Sequence, residues 1–123
     1  MPASDELADF IRHHFRSVWS LEVLLHLRRN PSRAWSRAEL VDALRASQAV
    51  VATSLESLLA GGLILVERDG AARYGPAGAD LQRLVEETDV LYARKPDAVR
   101  RLIVLSRDSA VSAFADAFKL RRD

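Results

Sequence analysis

The sequence has 123 residues, of which 49% are hydrophobic and 28% are charged, and this composition excludes a disordered chain and indicates one globular domain. The absence of cysteine excludes disulfides, thiolate catalysis and cysteine-ligated zinc. No apolar run approaches the roughly 20 residues of a membrane-spanning helix, and the acidic N-terminus lacks a signal-peptide pattern, so we expect a cytoplasmic protein without a membrane partner. The net charge of +1 does not by itself indicate a nucleic-acid-binding protein.

Two helices are predicted before Pro31. The first covers residues 4–16, where apolar side chains recur at helical spacing. The second begins at residue 17 or 20 and ends at residue 29, because the residue before a proline disfavours the helical region. His13 lies one turn after Asp9, and the two could clip a metal ion, but ordinary exposed or packed side chains are the simpler interpretation. We therefore predict no metal site.

Two further helical stretches, separated by a tight break, lie between Leu40 and Ile64. Ser36 and Glu39 have the spacing of a capping box at the start of the first stretch. Ser47 is a natural N-cap for the second, and Gly61-Gly62 ends it because glycine adopts the left-handed conformation without a Cβ clash. The apolar residues of the second stretch predict one buried stripe, formed by Val51, Leu55, Leu58 and Leu59.

A β-rich run follows at residues 63–68, Asp69-Gly70 predicts a tight turn, and residues 72–74 can return as a second strand. A helix, a turn, a longer helix and a small hairpin in this order resemble the winged helix-turn-helix superfamily of bacterial transcription regulators over roughly residues 21–76. The resemblance implies a mainly α fold of the α+β winged helix type, with a two-stranded wing and extra helices at both termini. It also implies that Trp35 lies in a very short strand that adds to the wing sheet.

Three more helices are predicted after the wing, at residues 79–93, from Pro96 onward, and at residues 108–120. We therefore expect residues 1–78 to form the winged helix domain with its N-terminal helices, and residues 79–123 to form a helical extension of the same structural unit. This extension either makes a homodimer interface, as added helices commonly do in that superfamily, or folds back on the first two helices. The candidate dimerisation residues are Leu84, Leu91, Phe114 and Phe118.

The resemblance implies that the helix at residues 47–60 reads the major groove of double-stranded DNA and that the wing at residues 63–74 contacts the backbone. That helix contains no arginine or lysine, and Glu56 is its only charged residue, so flanking arginines must neutralise the phosphates. Further arginines near the end of the second helix, at positions 28, 29 and 33, are additional sources of charge. The predicted DNA-binding residues, with the polar and small ones facing outward, are Arg37, Arg45, Ser47, Gln48, Ala49, Thr53, Ser54, Arg68 and Arg73.

A second interpretation of the same helix remains open. Its small, neutral outward residues also permit close packing against protein, and winged helix modules of that kind act as protein-interaction domains without a DNA site of their own. Catalysis has little support, because no glycine-rich nucleotide loop, metalloprotease motif or nucleophile elbow occurs. We expect no enzyme activity, no cofactor and no metal.

Overall fold

The computed structural model describes residues 5–105, and this part of the chain is mainly helical with a small antiparallel sheet. Residues 96–105 are helical. The predicted fold class is confirmed, because a helix-turn-helix followed by a two-stranded wing gives a winged-helix-like layout. The elements before residue 96 are α1 (Asp5–His14), α2 (Val18–Arg29), α3 (Arg37–Leu44), α4 (Gln48–Ala60), β1 (Ile64–Val66), β2 (Ala72–Tyr74) and α5 (Ala79–Arg94).

Serine side chains begin α2, α3 and α4. Ser17 and Ser20 form a capping box at α2, although the sequence left the choice between them open. The predicted capping box of α3 is confirmed, because Ser36 Oγ accepts the Glu39 N–H at 3.1 Å and Glu39 Oε1 accepts the Ser36 N–H at 2.8 Å. Ser47 Oγ accepts the Val50 N–H, as predicted. Each such cap stabilises its helix by about 1 kcal/mol.

Two residues with positive φ shape the ends of α3 and α4. Arg45 follows α3 in the left-handed conformation (φ 55°, ψ 40°) and is the non-glycine residue with positive φ in the described part of the chain. Gly61 caps α4 with a right-handed φ of −80°, and Gly62 then takes φ 74°. The predicted glycine stop of α4 is therefore confirmed, but the left-handed conformation is at Gly62.

The wing is an antiparallel hairpin in which Ile64 pairs with Tyr74 and Val66 with Ala72. Trp35 adds a bridge to the outer side of β2, because its N–H and C=O both bond to Ala72 at 2.8 Å. At the position of the predicted short strand, Trp35 therefore makes a single β-bridge to the wing. This bridge ties the segment before α3 to the wing.

α2 lies at the centre and packs against α3, α4 and β2. The buried stripe of α4 contains Ser54 (3% exposed), whereas Leu59 is 49% exposed, so the prediction that Leu59 is buried is wrong. Leu59 lies about 100° around the helix from buried Leu58, and the groove against α2 admits only the narrower stripe.

α5 packs against α1 and is tied to α2 by ion pairs. Asp89, whose side chain is 13% exposed, accepts hydrogen bonds from both Arg28 and Arg29. Arg83 joins the start of α5 to Glu6 on α1. The described part of the C-terminal extension therefore folds back on the first two helices of the same chain.

Candidate nucleic-acid interface

The outer face of α4, which we define as Ser47, Gln48, Ala49 and Thr53, is exposed. It lies at the N-terminal end of the helix, where Ser47 satisfies one free backbone N–H and the helix dipole is positive. Ser54 does not belong to this face. The prediction that it faces outward is wrong, because Ser54 lies on the packed side of α4 with Val51 and Leu58.

Three exposed arginines flank this face along the chain. Arg37 is the first residue of α3, Arg45 lies in the turn directly before α4, and Arg68 lies in the turn of the wing. Within residues 5–105, none of the three makes a side-chain hydrogen bond or an ion pair. We call Arg37, Arg45 and Arg68 the flanking arginines. Their full charge is available to an external anion.

Arg73, the fourth predicted arginine, is held against the hairpin. It is only half exposed, and its Nε is buried without a hydrogen-bond partner among the described residues. Its Nη2 lies 3.9 Å from Glu67 Oε2, so part of its charge is screened by that carboxylate. Arg73 is therefore a weaker candidate for a phosphate contact than Arg68.

The arginines around the end of α2 are occupied by acids of the same chain. Arg28 and Arg29 are paired with Asp89, and Arg33 bonds to Glu39 and lies 3.7 Å above the ring of Trp35. These three arginines are therefore paired within the chain, although Arg28 and Arg29 share one carboxylate. The pairing of Arg28 and Arg29 is long-range, since Asp89 lies about sixty positions later in the chain than its two partners.

Hydrogen bonds from the Ser36 backbone N–H and from Arg33 lower the pKa of Glu39 to about 2, so this carboxylate remains ionised and keeps Arg33 paired. His26 lies beside the same cluster, with its ring edge-on to Trp35 at 4.5 Å. Burial, and then the charge of Arg33, lower the pKa of His26. His26 is a partly buried side chain that packs against Trp35.

A cleft at the opposite end of α4 was missed by the sequence analysis. It has a volume of about 220 Å³ and is lined by His13, His14, Arg16, Ser57, Ala60 and Gly61. The sequence shows two adjacent histidines and a nearby arginine, but no local pattern indicates that they meet residues more than forty positions later. We call it the His13–Ser57 cleft.

The predicted dimerisation residues divide into two groups. Leu84 is 7% exposed within the chain's own core, so the prediction that it lies on a dimer interface is wrong, and Leu91 is partly buried against the same core. The buried positions of α5 belong to the chain's own core, whereas Val90 on the same helix is 55% exposed. Phe114 and Phe118 lie outside the described residues.

Two other classes of site are absent from residues 5–105. No cluster of three or more histidine, aspartate or glutamate side chains there could hold a metal ion. No helix in the same range has the length and apolar character needed to cross a membrane. No protein-family model matches the chain, and it has no significant match among curated proteins or solved structures.

Proposed function

We propose that the protein is a cytoplasmic DNA-binding transcription regulator, not an enzyme, and that it binds double-stranded DNA as a homodimer. In this proposal α4 lies in the major groove with its N-terminal residues toward the base edges, as the second helix of a helix-turn-helix does. The β1–β2 hairpin lies along the phosphate backbone. The winged-helix layout and the exposed start of α4 support this arrangement.

The observation that carries the proposal is that three exposed arginines on the segments next to α4 in the chain make no side-chain hydrogen bond or ion pair within residues 5–105. The flanking arginines compensate for the absence of arginine and lysine on the helix itself. Each phosphate that the protein neutralises steepens the slope of log affinity against log salt concentration by about 0.9. Three contacts per protomer therefore predict a slope of about −3 for one subunit and about −5 for a dimer.

Base reading in this proposal depends on side chains of the outer face. Gln48 can make a bidentate hydrogen bond with adenine N6 and N7, and the methyl group of Thr53 can contact a thymine methyl. A good bidentate pair discriminates against a wrong base by about 1–3 kcal/mol. Replacing Gln48 should therefore relax specificity at one position of the site, whereas replacing a flanking arginine should weaken binding to all sequences.

The homodimer is the part of the proposal that depends on residues 106–123. Val111, Phe114 and Phe118 recur there at helical spacing, and this apolar pattern is typical of a surface that a second copy can cover. A twofold dimer of this kind would read two half-sites about 34 Å apart.

The test is duplex binding at several salt concentrations with alanine variants. Arg37→Ala and Arg68→Ala should each reduce the magnitude of the salt slope by about 0.9 per protomer, because each removes one phosphate contact. Arg101→Ala is the matched control, since Arg101 is exposed in helical residues 96–105, which carry none of the proposed contacts. Equal effects of all three substitutions would show non-specific charge attraction and refute the proposed interface.

A protein-interaction module is the second candidate. It is favoured by apolar exposure on the same elements: Leu59 on α4 and Leu65 and Val66 on the wing are all exposed. Glu56, the charged residue of α4, would also repel phosphate there. Absent or salt-insensitive binding to duplex DNA would support this candidate over the first.

A further inference from the structure

Glu56 lies at the centre of the face of α4 that is turned away from the protein. It is exposed, and it shares this face with the small exposed residues Ala49, Thr53 and Ala60. At 3.6 residues per turn, the four positions lie within about 60° of one another around the helix axis. The buried residues of α4 lie on the opposite side of that axis. Glu56 therefore points directly away from the core.

The carboxylate of Glu56 has no internal partner. Within residues 5–105 it makes no side-chain hydrogen bond and no ion pair. Its neighbours on the outward face are alanine and threonine, so the carboxylate extends beyond them. Because an ionised carboxylate only accepts hydrogen bonds, a partner at this position must supply a donor.

The proposed function places α4 in the major groove, and the inference about Glu56 rests on that placement. A helix fills this groove, which is about 12 Å wide. The centre of the outward face then lies over the base edges, whereas the phosphates line the walls of the groove. The small side chains of Ala49 and Thr53 permit a close approach of the helix. Glu56 therefore faces bases and not phosphates.

The major groove offers a donor on two bases, adenine at N6 and cytosine at N4. Adenine N6 lies between two acceptors, its own N7 and O4 of the paired thymine, and both repel a carboxylate. Cytosine N4 has an acceptor on one side only, O6 of the paired guanine. We propose that Glu56 accepts a hydrogen bond from cytosine N4 and thereby makes a C·G base pair part of the sequence that the protein recognises.

The position of Glu56 also locates this base pair. Glu56 is about 4.5 Å beyond Thr53 along the helix axis. This distance is close to one base-pair step of about 3.4 Å, so the C·G pair neighbours the A·T pair that Thr53 contacts in the proposed function. Any other base pair at this position leaves the carboxylate unpaired against acceptors. The loss of a hydrogen bond to a charged group reduces affinity by about tenfold to a hundredfold.

The experiment incubates the full chain with a pool of duplexes of random sequence and sequences those that bind. The original protein should select a C·G pair at one position of the site. Glu56→Gln should change the preference there to A·T, because glutamine makes a bidentate hydrogen bond with adenine N6 and N7. Glu56→Ala should accept all four base pairs about equally at that position.

Asp42→Asn is the matched control. Asp42 is exposed on the preceding helix α3, and the substitution removes the same charge as Glu56→Gln. It should leave every base preference unchanged. Competition among four duplexes that differ only at the selected position then measures the discrimination, which should be about tenfold to a hundredfold for the original protein. Thermal melts check that each variant retains the fold.

Sequence-specific binding with the same base preferences in the original protein and in Glu56→Gln would overturn the inference and leave the proposed function intact. An equal gain in affinity for every duplex would do the same, because it would show that Glu56 acts only by charge repulsion. Absence of duplex binding by the original protein would overturn the proposed function and the cytosine contact together. The two failures are therefore distinguishable.

Discussion

Arg45 has a strained backbone conformation and a side-chain charge without an internal partner. Two different substitutions at this position test these two features separately. A non-glycine residue in the left-handed region destabilises the fold by about 1–2 kcal/mol. Glycine in its place removes this strain, but its greater freedom in the unfolded chain offsets about 0.5–1 kcal/mol of the gain. Arg45, at φ 55°, is in this region. Arg45→Gly should therefore stabilise the fold by about 0.5–1 kcal/mol, which raises Tm by about 2–4 °C for a domain of this size.

The same substitution should weaken DNA binding, because it removes one of the flanking arginines. We expect the salt slope to decrease in magnitude by about 0.9 per protomer. Arg45→Ala is the matched control. It removes the same charge but keeps a Cβ in the left-handed region, so it should match Arg45→Gly in binding and the original protein in stability.

Calorimetry and fluorescence anisotropy on the three proteins provide the comparison. If Arg45→Gly is no more stable than Arg45→Ala, the backbone at this turn is not strained and that part of the reasoning is wrong. If both variants bind duplex DNA with the original salt slope, Arg45 makes no phosphate contact. Strained backbone conformations are concentrated at functional sites. A strained turn that carries an exposed arginine directly before α4 is what we expect of a functional turn.

Asp89→Asn should destabilise the protein by about 1–2 kcal/mol in urea unfolding, because two arginines of α2 lose their shared carboxylate partner, and an unchanged midpoint would show that solvent screens these pairs. The pKa of Glu39 is lowered to about 2 in the fold from its ordinary 4.5, so its stabilisation is complete above about pH 4.5 and is lost as the pH falls toward 2. The Tm difference between the original protein and Glu39→Gln should accordingly shrink over that interval, and a constant difference would contradict the assignment. Phe114→Ala/Phe118→Ala should convert the proposed dimer to monomer in light scattering, and a persistent dimer would move the interface away from residues 106–123.

The sequence was sufficient for features that depend on residues close together in the chain. Ser36 and Glu39 are three positions apart, and their mutual capping follows from helix geometry alone. Ser47 and Gly62 mark the two ends of α4 for similar local reasons. Because these interactions close within one helical turn, the order of elements and the winged-helix layout could be predicted without coordinates.

The tertiary structure alone decided which side chains remain available to a partner. Leu59 and Ser54 exchange their expected environments, because the groove against α2 selects a narrower stripe than the apolar pattern indicates. Asp89 removes two arginines from the predicted basic surface, and Ser57 completes a cleft with histidines of α1. In each case the deciding contact joins residues far apart in the chain, and its existence depends on how whole helices pack. Local spacing carries no information about such contacts, so the composition of the surface around α4 was readable only from the folded chain.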